Sequence, residues 1–195
     1  VAEKTSPAKL KVNANKNSAA KAAASSESAQ MAQAKKTNPL LAVLQLAPQG
    51  SLSVVGYANV RDTAAVNKII YSAAAKQVLP SDLKLLWGAK PADGLSVKNV
   101  YELYALKVTQ SNGHAPLEGD VITDAKDEFD QMSNRPSVSM SMNSDGARRW
   151  AEMTKANINK AIAIVLDGAV YSAPRVNGEI SGGNSQITGN FTIED

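Results

Sequence analysis

Hydrophobic positions in the first half of the chain follow a strand pattern and then a helix pattern. A strand is predicted over residues 53–59. The apolar residues that come next recur at helical spacing and so share one helix face: Val66, Ile69, Ile70, Ala73 and Ala74. We expect a side-chain oxygen of Asp62 or Thr63 to cap this helix, because it can accept from an unpaired amide of the first turn. Residues 79–81 (Leu-Pro-Ser) end it.

Two strand patterns complete this first unit. Leu83, Leu85 and Trp87 occupy alternate positions, which is the period of a strand. The sequence KPADG then predicts a turn into a second strand over residues 100–108. Residues 40–46 (LLAVLQL) are an apolar segment whose type the pattern leaves undecided. The order strand, helix, strand, strand therefore defines a βαββ unit over residues 38–110.

The same order returns in the second half of the chain. Val138, Met140 and Met142 alternate with serines, so a strand with one apolar face is predicted. Asn143 or Ser144 then caps a helix. Its buried stripe is predicted to be Ala147, Trp150, Ala151, Thr154 and Ile158. Its exposed side is predicted to be Arg148, Arg149, Glu152 and Lys155.

The stretch AIAIVLDGAVYSAPRV, residues 161–176, predicts a hairpin. Residues 161–166 form a buried strand and residues 169–173 its partner. Asp167 and Gly168 form the turn, because a type I′ turn needs positive φ at both central residues and Asp-Gly favours it. A further short strand is predicted over residues 185–189.

These elements predict an α+β fold. Two βαββ units, residues 38–110 and 111–195, contribute strands to one or two antiparallel or mixed sheets with helices on one face. Residues 1–37 are rich in Ala, Lys and Ser and predict a disordered or partly helical linker.

Charge is concentrated in that linker. Residues 1–37 carry seven lysines and two glutamates, a net charge of +5, whereas residues 38–195 carry 14 basic and 16 acidic groups, a net charge of −2. The linker lysines are interpreted as solvated, with phosphate or membrane-surface binding as the alternative. The sheets offer no aromatic residues beside basic ones, so no nucleic-acid partner is predicted.

Other composition features limit the function classes. Cysteine is absent, which excludes disulfides and cysteine nucleophiles. No apolar run reaches the roughly 18 to 20 residues that span a bilayer, so this chain is not expected to cross a membrane. It opens on Val1, and its last residues, 192–195, begin like a capping box. We therefore expect a piece of a longer polypeptide.

Catalytic residues are not predicted. His114 is the one histidine, and it lies in the turn sequence NGHAP rather than beside a nucleophile motif. Ser172 and Asp167 lie across one tight turn without a nearby base. A hydrolase that uses His114 with nearby acids remains the alternative.

Two clusters could in principle bind ligands. The first is acidic, and if its segment is helical, three of its members share a face that could hold calcium or magnesium: Asp120, Asp124, Asp127, Glu128 and Asp130. The second is the Gly182–Gly183 loop, which could cradle a phosphate. Neither carries a complete ion or nucleotide motif, so no metal or cofactor is predicted.

The methionine-containing strand has two interpretations. Methionine is adaptable, so an exposed face of Val138, Met140 and Met142 could bind varied apolar peptides. The alternative is that this face is core, packed against the Trp150 helix.

Eight segments of the second unit carry a resemblance, in this order: GDVITDA (119–125), PSVS (136–139), NSDGA (143–147), TKANINK (154–160), AIVLDG (163–168), SAP (172–174), ISGG (180–183) and QITGNFT (186–192). Together they resemble the first large periplasmic region of SecD, the membrane subunit of the bacterial protein translocase. Residues 1–37 and 39–109 look like the Bacteroidetes form, in which SecD and SecF are fused. One departure is Asn159, where the family commonly has glycine.

The resemblance implies the head part of that region, on the periplasmic side of the inner membrane. It implies contact with unfolded preprotein, SecF and the SecYEG channel as partners through the full-length protein, and no enzymatic residue. The transmembrane helices with the family's proton-coupling carboxylates lie outside this chain. Gly119, Asp120, Gly182 and Gly183 are predicted to lie near a hinge between head and base. A purely structural spacer is the alternative function.

Overall fold

A computed structural model describes residues 37–92, 98–110, 112–130 and 136–188. The chain divides into two units between Ala42 and Val43, and the helix Pro39–Val43 (α1) lies at that division. The undecided apolar segment is thus a short helix followed by a short strand. Residues 1–36 of the linker predicted over residues 1–37 and the capping box at 192–195 lie outside the described residues. All that follows concerns the unit that begins at Val43.

The larger sheet has six strands. They are β1 (Gln45–Leu46), β2 (Val54–Asn59), β3 (Leu83–Pro91), β4 (Val100–Lys107), β7 (Ile164–Leu166) and β8 (Ala169–Ser172). Their order is β1-β2-β4-β3-β8-β7. All neighbours are antiparallel except β3 and β8, which meet in parallel at Gly88 and Val170. The sheet is therefore mixed, and its pairing crosses the predicted boundary at residue 110.

The core of this sheet centres on Leu103 in β4. Its side chain is 1% exposed, and the register places it between Gly56 of β2 and Trp87 of β3. The helix Thr63–Ile70 (α2) is tied to the same face, because Trp87 Nε1 donates to Asn67 Oδ1 at 2.9 Å. Val66 of this helix is fully buried. The apolar helix stripe and the sheet thus form one core.

The predicted single helix is in fact two. Helix α2 ends at Ile70, and a second helix, Ala73–Val78 (α3), begins after Ser72, whose side chain accepts from Ala75 N. The prediction of a side-chain cap at Asp62 or Thr63 is also wrong. Asp62 makes no cap hydrogen bond, and the Thr63 hydroxyl donates to the Val60 carbonyl instead. Ser72 itself is extended, and its side chain caps the first turn of the second helix.

The smaller sheet has three antiparallel strands in the order β5-β6-β9. They are β5 (Ile122–Phe129), β6 (Pro136–Met142) and β9 (Asn184–Thr188). The helix Ser144–Ala156 (α4) follows β6, and Asn143 Oδ1 accepts from Gly146 N at 2.8 Å, which confirms the predicted cap. Trp150 and Thr154 of the predicted stripe are buried, whereas Ile158 lies beyond the helix and is exposed.

Close packing joins α4 to this sheet at Gly146. A Cβ atom added there would lie 2.7 Å from Val121 Cβ and 3.1 Å from Met142 Cβ. Such distances leave no room for a side chain. The helix therefore approaches the end of β6 closely because position 146 is glycine.

The departure at Asn159 is accommodated by the backbone. Asn159 has φ of 67°, in the left-handed region that glycine adopts most easily. Asparagine tolerates this region better than other residues with a side chain. Its side chain also accepts from Arg175 Nη2 at 3.1 Å. The chain thus leaves α4 along a path that suits either residue.

Candidate functional site

The Asp167–Gly168 dipeptide is a hairpin turn. Its φ angles are 49° and 78°, both positive, as the type I′ prediction requires, and both residues are exposed. Ser172 is half-buried and pairs with Ile164 across the hairpin. The predicted burial of the first strand is wrong, since Val165 is 38% and Leu166 55% exposed. The motif turns the chain and presents apolar side chains on the surface.

His114 lies in an exposed turn. Its Nδ1 is 2.7 Å from Glu118 Oε1, and its backbone amide donates to Asn112 Oδ1. Both partners of the ring contact are more than half exposed. An exposed pair of this kind contributes little to stability. The geometry is that of an exposed side-chain hydrogen bond rather than of a nucleophile and its base.

The acidic cluster lies mainly on a strand, so the helical arrangement considered from sequence is wrong. In β5 successive side chains point to opposite faces, which separates Asp124 from Asp127. Asp124 Oδ2 is 2.8 Å from Lys126 Nζ, and this hydrogen bond raises the pKa of Lys126. Within residues 37–92, 98–110, 112–130 and 136–188, no three acidic or histidine side chains are grouped to hold a metal ion.

The two loops that carry the predicted hinge residues each bond to the backbone at the junction of β6 and α4. Gly119 and Asp120 belong to a 3-10 turn, Gly119–Val121, whose last carbonyl accepts from Asn143 N at 2.9 Å. The carbonyl of Gly183 accepts from the amide of Met142, also at 2.9 Å. The two loops, which are distant in sequence, therefore bond to the adjacent residues Met142 and Asn143.

Gly182 and Gly183 differ in their surroundings. A Cβ at Gly182 would meet nothing within 4 Å, whereas one at Gly183 would lie 2.7 Å from Ala147 Cβ. Gly183 is buried and has φ of 69°. Glycine is thus required at 183 by backbone conformation and by packing.

The strand β6 holds Val138, Met140 and Met142 half-buried. The register sets Val138 opposite Ile187 of β9, and Ile187 is 7% exposed. Met142 lies beneath Gly146 of α4. The serine face of the strand is bonded across the sheet, with Ser137 Oγ donating to the Glu128 carbonyl and accepting from Gln186 Nε2.

A cavity of about 280 Å³ lies between α4, β9 and residues 174–180. Its apolar wall is formed by Trp150, Ile162, Ile164, Val176, Ile180 and Ile187. The fully buried Thr154 hydroxyl holds two sides together, donating to the Trp150 carbonyl at 2.8 Å and accepting from Ile180 N at 3.0 Å. Sequence reasoning placed Trp150 and Thr154 in a buried stripe but missed the cavity, because its other walls come from distant segments.

The outer strands of the sheets differ in character. Strand β7 is outermost in the six-stranded sheet as described, and exposed apolar side chains of this hairpin include Leu166 of β7 and Tyr171 of β8. Strand β5 is outermost in the smaller sheet, and its exposed residues include Asp124, Lys126 and Asp127. Charged edges discourage pairing with another chain. Of these two outer strands, β7 has the apolar edge and is the better suited to an extended partner.

Charged groups elsewhere pair locally. Arg148 and Arg149 lie 2.8 Å and 2.6 Å from the carboxylate of Asp145, and the hydrogen bond from Arg148 lowers the pKa of Asp145. Burial raises the pKa of Tyr104, and its hydrogen bond to Glu102 acts in the same direction. Neither site adjoins the cavity wall described above. In this geometry the charged and phenolic side chains of these two sites contact only their neighbours.

None of the described helices combines the length and apolar character needed to cross a membrane.

The described residues form an α+β fold with two sheets. Residues 101–195 match the family model described as the P1 head subdomain of SecDF. The chain therefore contains the head region of the SecD family, and the resemblance predicted from its motifs is confirmed. The α+β class is confirmed as well.

Individual relatives are protein translocase subunits SecD. That of Rhodothermus marinus is 48% identical over 152 residues, which cover 78% of this chain and 23% of the relative. That of Rickettsia prowazekii is 51% identical over 78 residues, covering 40% of this chain and 15% of the relative. The chain thus spans about a quarter or less of the length of these relatives. It is a domain of the SecD type of protein translocase subunit.

A solved structure of the membrane component SecDF that enhances protein export is 28% identical. The match covers 78% of this chain and 56% of that one, with a TM-score of 0.39.

Proposed function

We propose that this domain works in protein export by holding unfolded preprotein on the periplasmic side of the inner membrane. It acts as a binding and conformational module and catalyses no reaction. In the full-length protein its partners are SecF and the SecYEG channel. The match of residues 101–195 to the SecDF head subdomain carries this proposal.

The geometry supports weak binding that is independent of sequence. An extended chain can add to an open sheet edge through its main-chain groups, which are the same in every polypeptide. Strand β7 offers such an edge beside the exposed side chains of Val165, Leu166 and Tyr171. Transient apolar contacts at this hairpin would hold a preprotein without selecting one.

Directional transport requires a source of work outside this chain. A static binder releases its ligand to either side equally, so repeated forward movement needs a change of state. We propose that the proton-motive force supplies that change through membrane helices of the full-length protein. The head then moves relative to the base with the preprotein attached.

The face of Val138, Met140 and Met142 was predicted as a binding surface or as core. Because these residues are half-buried and Met142 lies under α4, we propose that they contribute to packing. The binding role is assigned instead to the β7–β8 hairpin.

We expect a photocrosslinker at Leu166 to capture a translocating preprotein in the full-length protein. Leu166 is 55% exposed at the turn of the apolar edge, so a bound segment would lie within reach. The measurement is crosslinking to a preprotein arrested in the channel, with the protein assembled in inverted membrane vesicles. The signal should depend on the presence of the preprotein.

The matched control is the same crosslinker at Asp127, which is exposed on the charged outer strand β5. It should capture several-fold less preprotein. Failure of both positions, together with failure at further exposed sites of the head, would favour a structural spacer. Equal capture at both would contradict the assignment to the hairpin.

We also propose that the loops at Gly119–Asp120 and Gly182–Gly183 lie at the seam between head and base. The double variant Gly119→Ala/Gly182→Ala is expected to slow export, because alanine narrows the backbone freedom that glycine allows. Neither new Cβ atom would meet anything within 4 Å, so the thermal stability of the isolated chain should be unchanged. Gly183 is left in place because alanine there would contact Ala147. Unchanged export would count against the hinge.

A further inference from the structure

The chain contains two Asn-Gly dipeptides, at residues 112–113 and 177–178. Asparagine is among the thermally labile residues, and a following glycine leaves its own amide nitrogen open to react because it carries no side chain. Asn112 and Asn177 are both exposed, and a Cβ atom at either glycine would meet nothing within 4 Å. Exposure and space therefore do not distinguish the two dipeptides.

Deamidation would join the two residues of such a dipeptide in a ring. Hydroxide removes the proton of the glycine amide, and the nitrogen forms a bond to the asparagine Cγ. The C–N bond of the side-chain amide breaks, and its nitrogen leaves as ammonia after taking a proton from water, which regenerates the hydroxide. One water molecule then opens the succinimide ring to give aspartate or isoaspartate. The fold can control the first step, since removal of the amide proton requires that the amide is free.

The fold holds the reacting amide at residues 112–113. Gly113 N donates to the Gln110 carbonyl at 3.1 Å, and Asn112 Oδ1 accepts from His114 N at 3.0 Å. A hydrogen-bonded amide has to open before base can remove its proton, as in hydrogen exchange. The nitrogen of Gly113 is therefore protected, and the side-chain amide of Asn112 is fixed in orientation.

Residues 177–178 lack such bonds. Within the described part of the chain, neither the Asn177 side chain nor the Gly178 amide makes a hydrogen bond. The residues on either side are attached instead, with Val176 N donating to the Lys160 carbonyl at 2.9 Å and Ile180 N donating to Thr154 Oγ1 at 3.0 Å. The second dipeptide thus lies unbonded between two attachments.

We infer that Asn177 is a site of spontaneous deamidation in the folded chain, whereas Asn112 is protected by the hydrogen bond of Gly113. Water is the co-reactant, and no enzyme or cofactor takes part. The reaction is independent of the proposed function, because it needs neither a preprotein nor a membrane. It creates a carboxylate in the wall of the cavity, since Asn177 and Gly178 both line it.

The isoaspartate product also changes the backbone. It routes the main chain through the side chain of residue 177 and so adds one methylene group. Only residues 177–179 connect Val176 to Ile180. The longer connection is expected to displace the Ile180 amide from the Thr154 hydroxyl, and so to loosen residues 174–180 from α4.

The test is peptide mapping of the 195-residue chain after incubation in mildly alkaline buffer. Trypsin places the two sites in separate peptides, residues 108–126 and 176–195. We expect conversion of amide to acid at Asn177, located by fragmentation in the mass spectrometer, to be several-fold faster than at Asn112. A sample digested without incubation corrects for conversion during the digest.

The matched control is the same chain unfolded in guanidinium chloride. Both dipeptides then lose their folded surroundings, so Asn112 and Asn177 should react at similar rates. Equal rates at the two sites in the folded chain would overturn the inference. It would also be overturned if Asn177 reacted only in the unfolded chain.

Gly178→Ala tests the identity of the nucleophile. Its methyl group crowds the amide nitrogen, so conversion at Asn177 should slow several-fold. The circular dichroism spectrum should be unchanged, since a Cβ at this position would meet nothing within 4 Å. A variant that is folded and converts as fast as the parent chain would contradict the ring-closing step.

The effect on the cavity wall is measured as hydrogen exchange at the Ile180 amide. The incubated chain, enriched in isoaspartate, should lose protection there. Asn177→Asp should keep it, because this variant has the new charge without the added methylene group. Equal protection in the two samples would contradict the predicted loosening of residues 174–180.

Discussion

Leu103→Ala is expected to lower the free energy of unfolding by about 3 to 4 kcal/mol, the range in which buried leucines fall when truncated. Leu103 is 1% exposed and lies in a central strand between Gly56 and Trp87. One of these neighbours has no side chain and the other is fixed by its bond to Asn67. The cavity left by truncation therefore cannot collapse readily. Urea unfolding followed by circular dichroism measures the change.

The control for this variant is Leu46→Ala. Leu46 belongs to the short outer strand β1 and is 59% exposed, so its truncation should cost less than about 0.5 kcal/mol. If Leu103→Ala costs no more than Leu46→Ala, the assignment of the core to the α2 face of the sheet is wrong.

The sequence predicted those elements whose structure is determined by residues that are neighbours along the chain. The alternation in β3 and β6, the cap at Asn143 and the Asp167–Gly168 turn each follow from neighbours in sequence. Backbone geometry and hydrogen bonds of this kind are set within a few residues. The two strands, the cap and the turn are confirmed, and none of them depends on a contact between residues that are far apart in sequence.

Elements decided by distant contacts were missed. Strand β5 has exposed side chains on both faces, so it carries no apolar period, and only its pairing with β6 makes it a strand. The break after Ile70 is stabilised by the Ser72 cap and by the Tyr71 hydroxyl, which donates to the Leu85 carbonyl. Leu85 lies outside the segment that was predicted as one long helix, whereas the Ser72 cap is local to that segment.

The sequence also did not predict which strands belong to which sheet. The two βαββ orders are present, yet the hairpin β7–β8 joins the sheet of the first unit while β6 pairs with β5 and β9. A repeated order of elements does not specify which edges meet. The cavity is a consequence of that arrangement, since it lies between strands that belong to different sheets.

Thr154→Val is expected to lower the free energy of unfolding by about 1 kcal/mol, the middle of the hydrogen-bond cost less the gain from the added methyl group. The hydroxyl accepts from Ile180 N at 3.0 Å, and valine keeps the shape but leaves this amide without a partner. Losing such a bond costs about 1 to 3 kcal/mol, more than the roughly 0.8 kcal/mol gained from an added buried methyl group. The amide of Ile180 should also lose its protection against hydrogen exchange, because Thr154 is the acceptor that holds it.

Thr154→Ser is the matched control, since it removes a methyl group and keeps the hydroxyl. Serine is expected to cost about 1 kcal/mol through lost packing, while Ile180 stays protected. Stability alone would not separate the two causes, but exchange at one amide does. If Ile180 exchanges equally slowly in both variants, the hydroxyl does not hold residues 174–180 against α4. The cavity wall would then owe its position to apolar packing at Val176 and Ile187, both of which are buried.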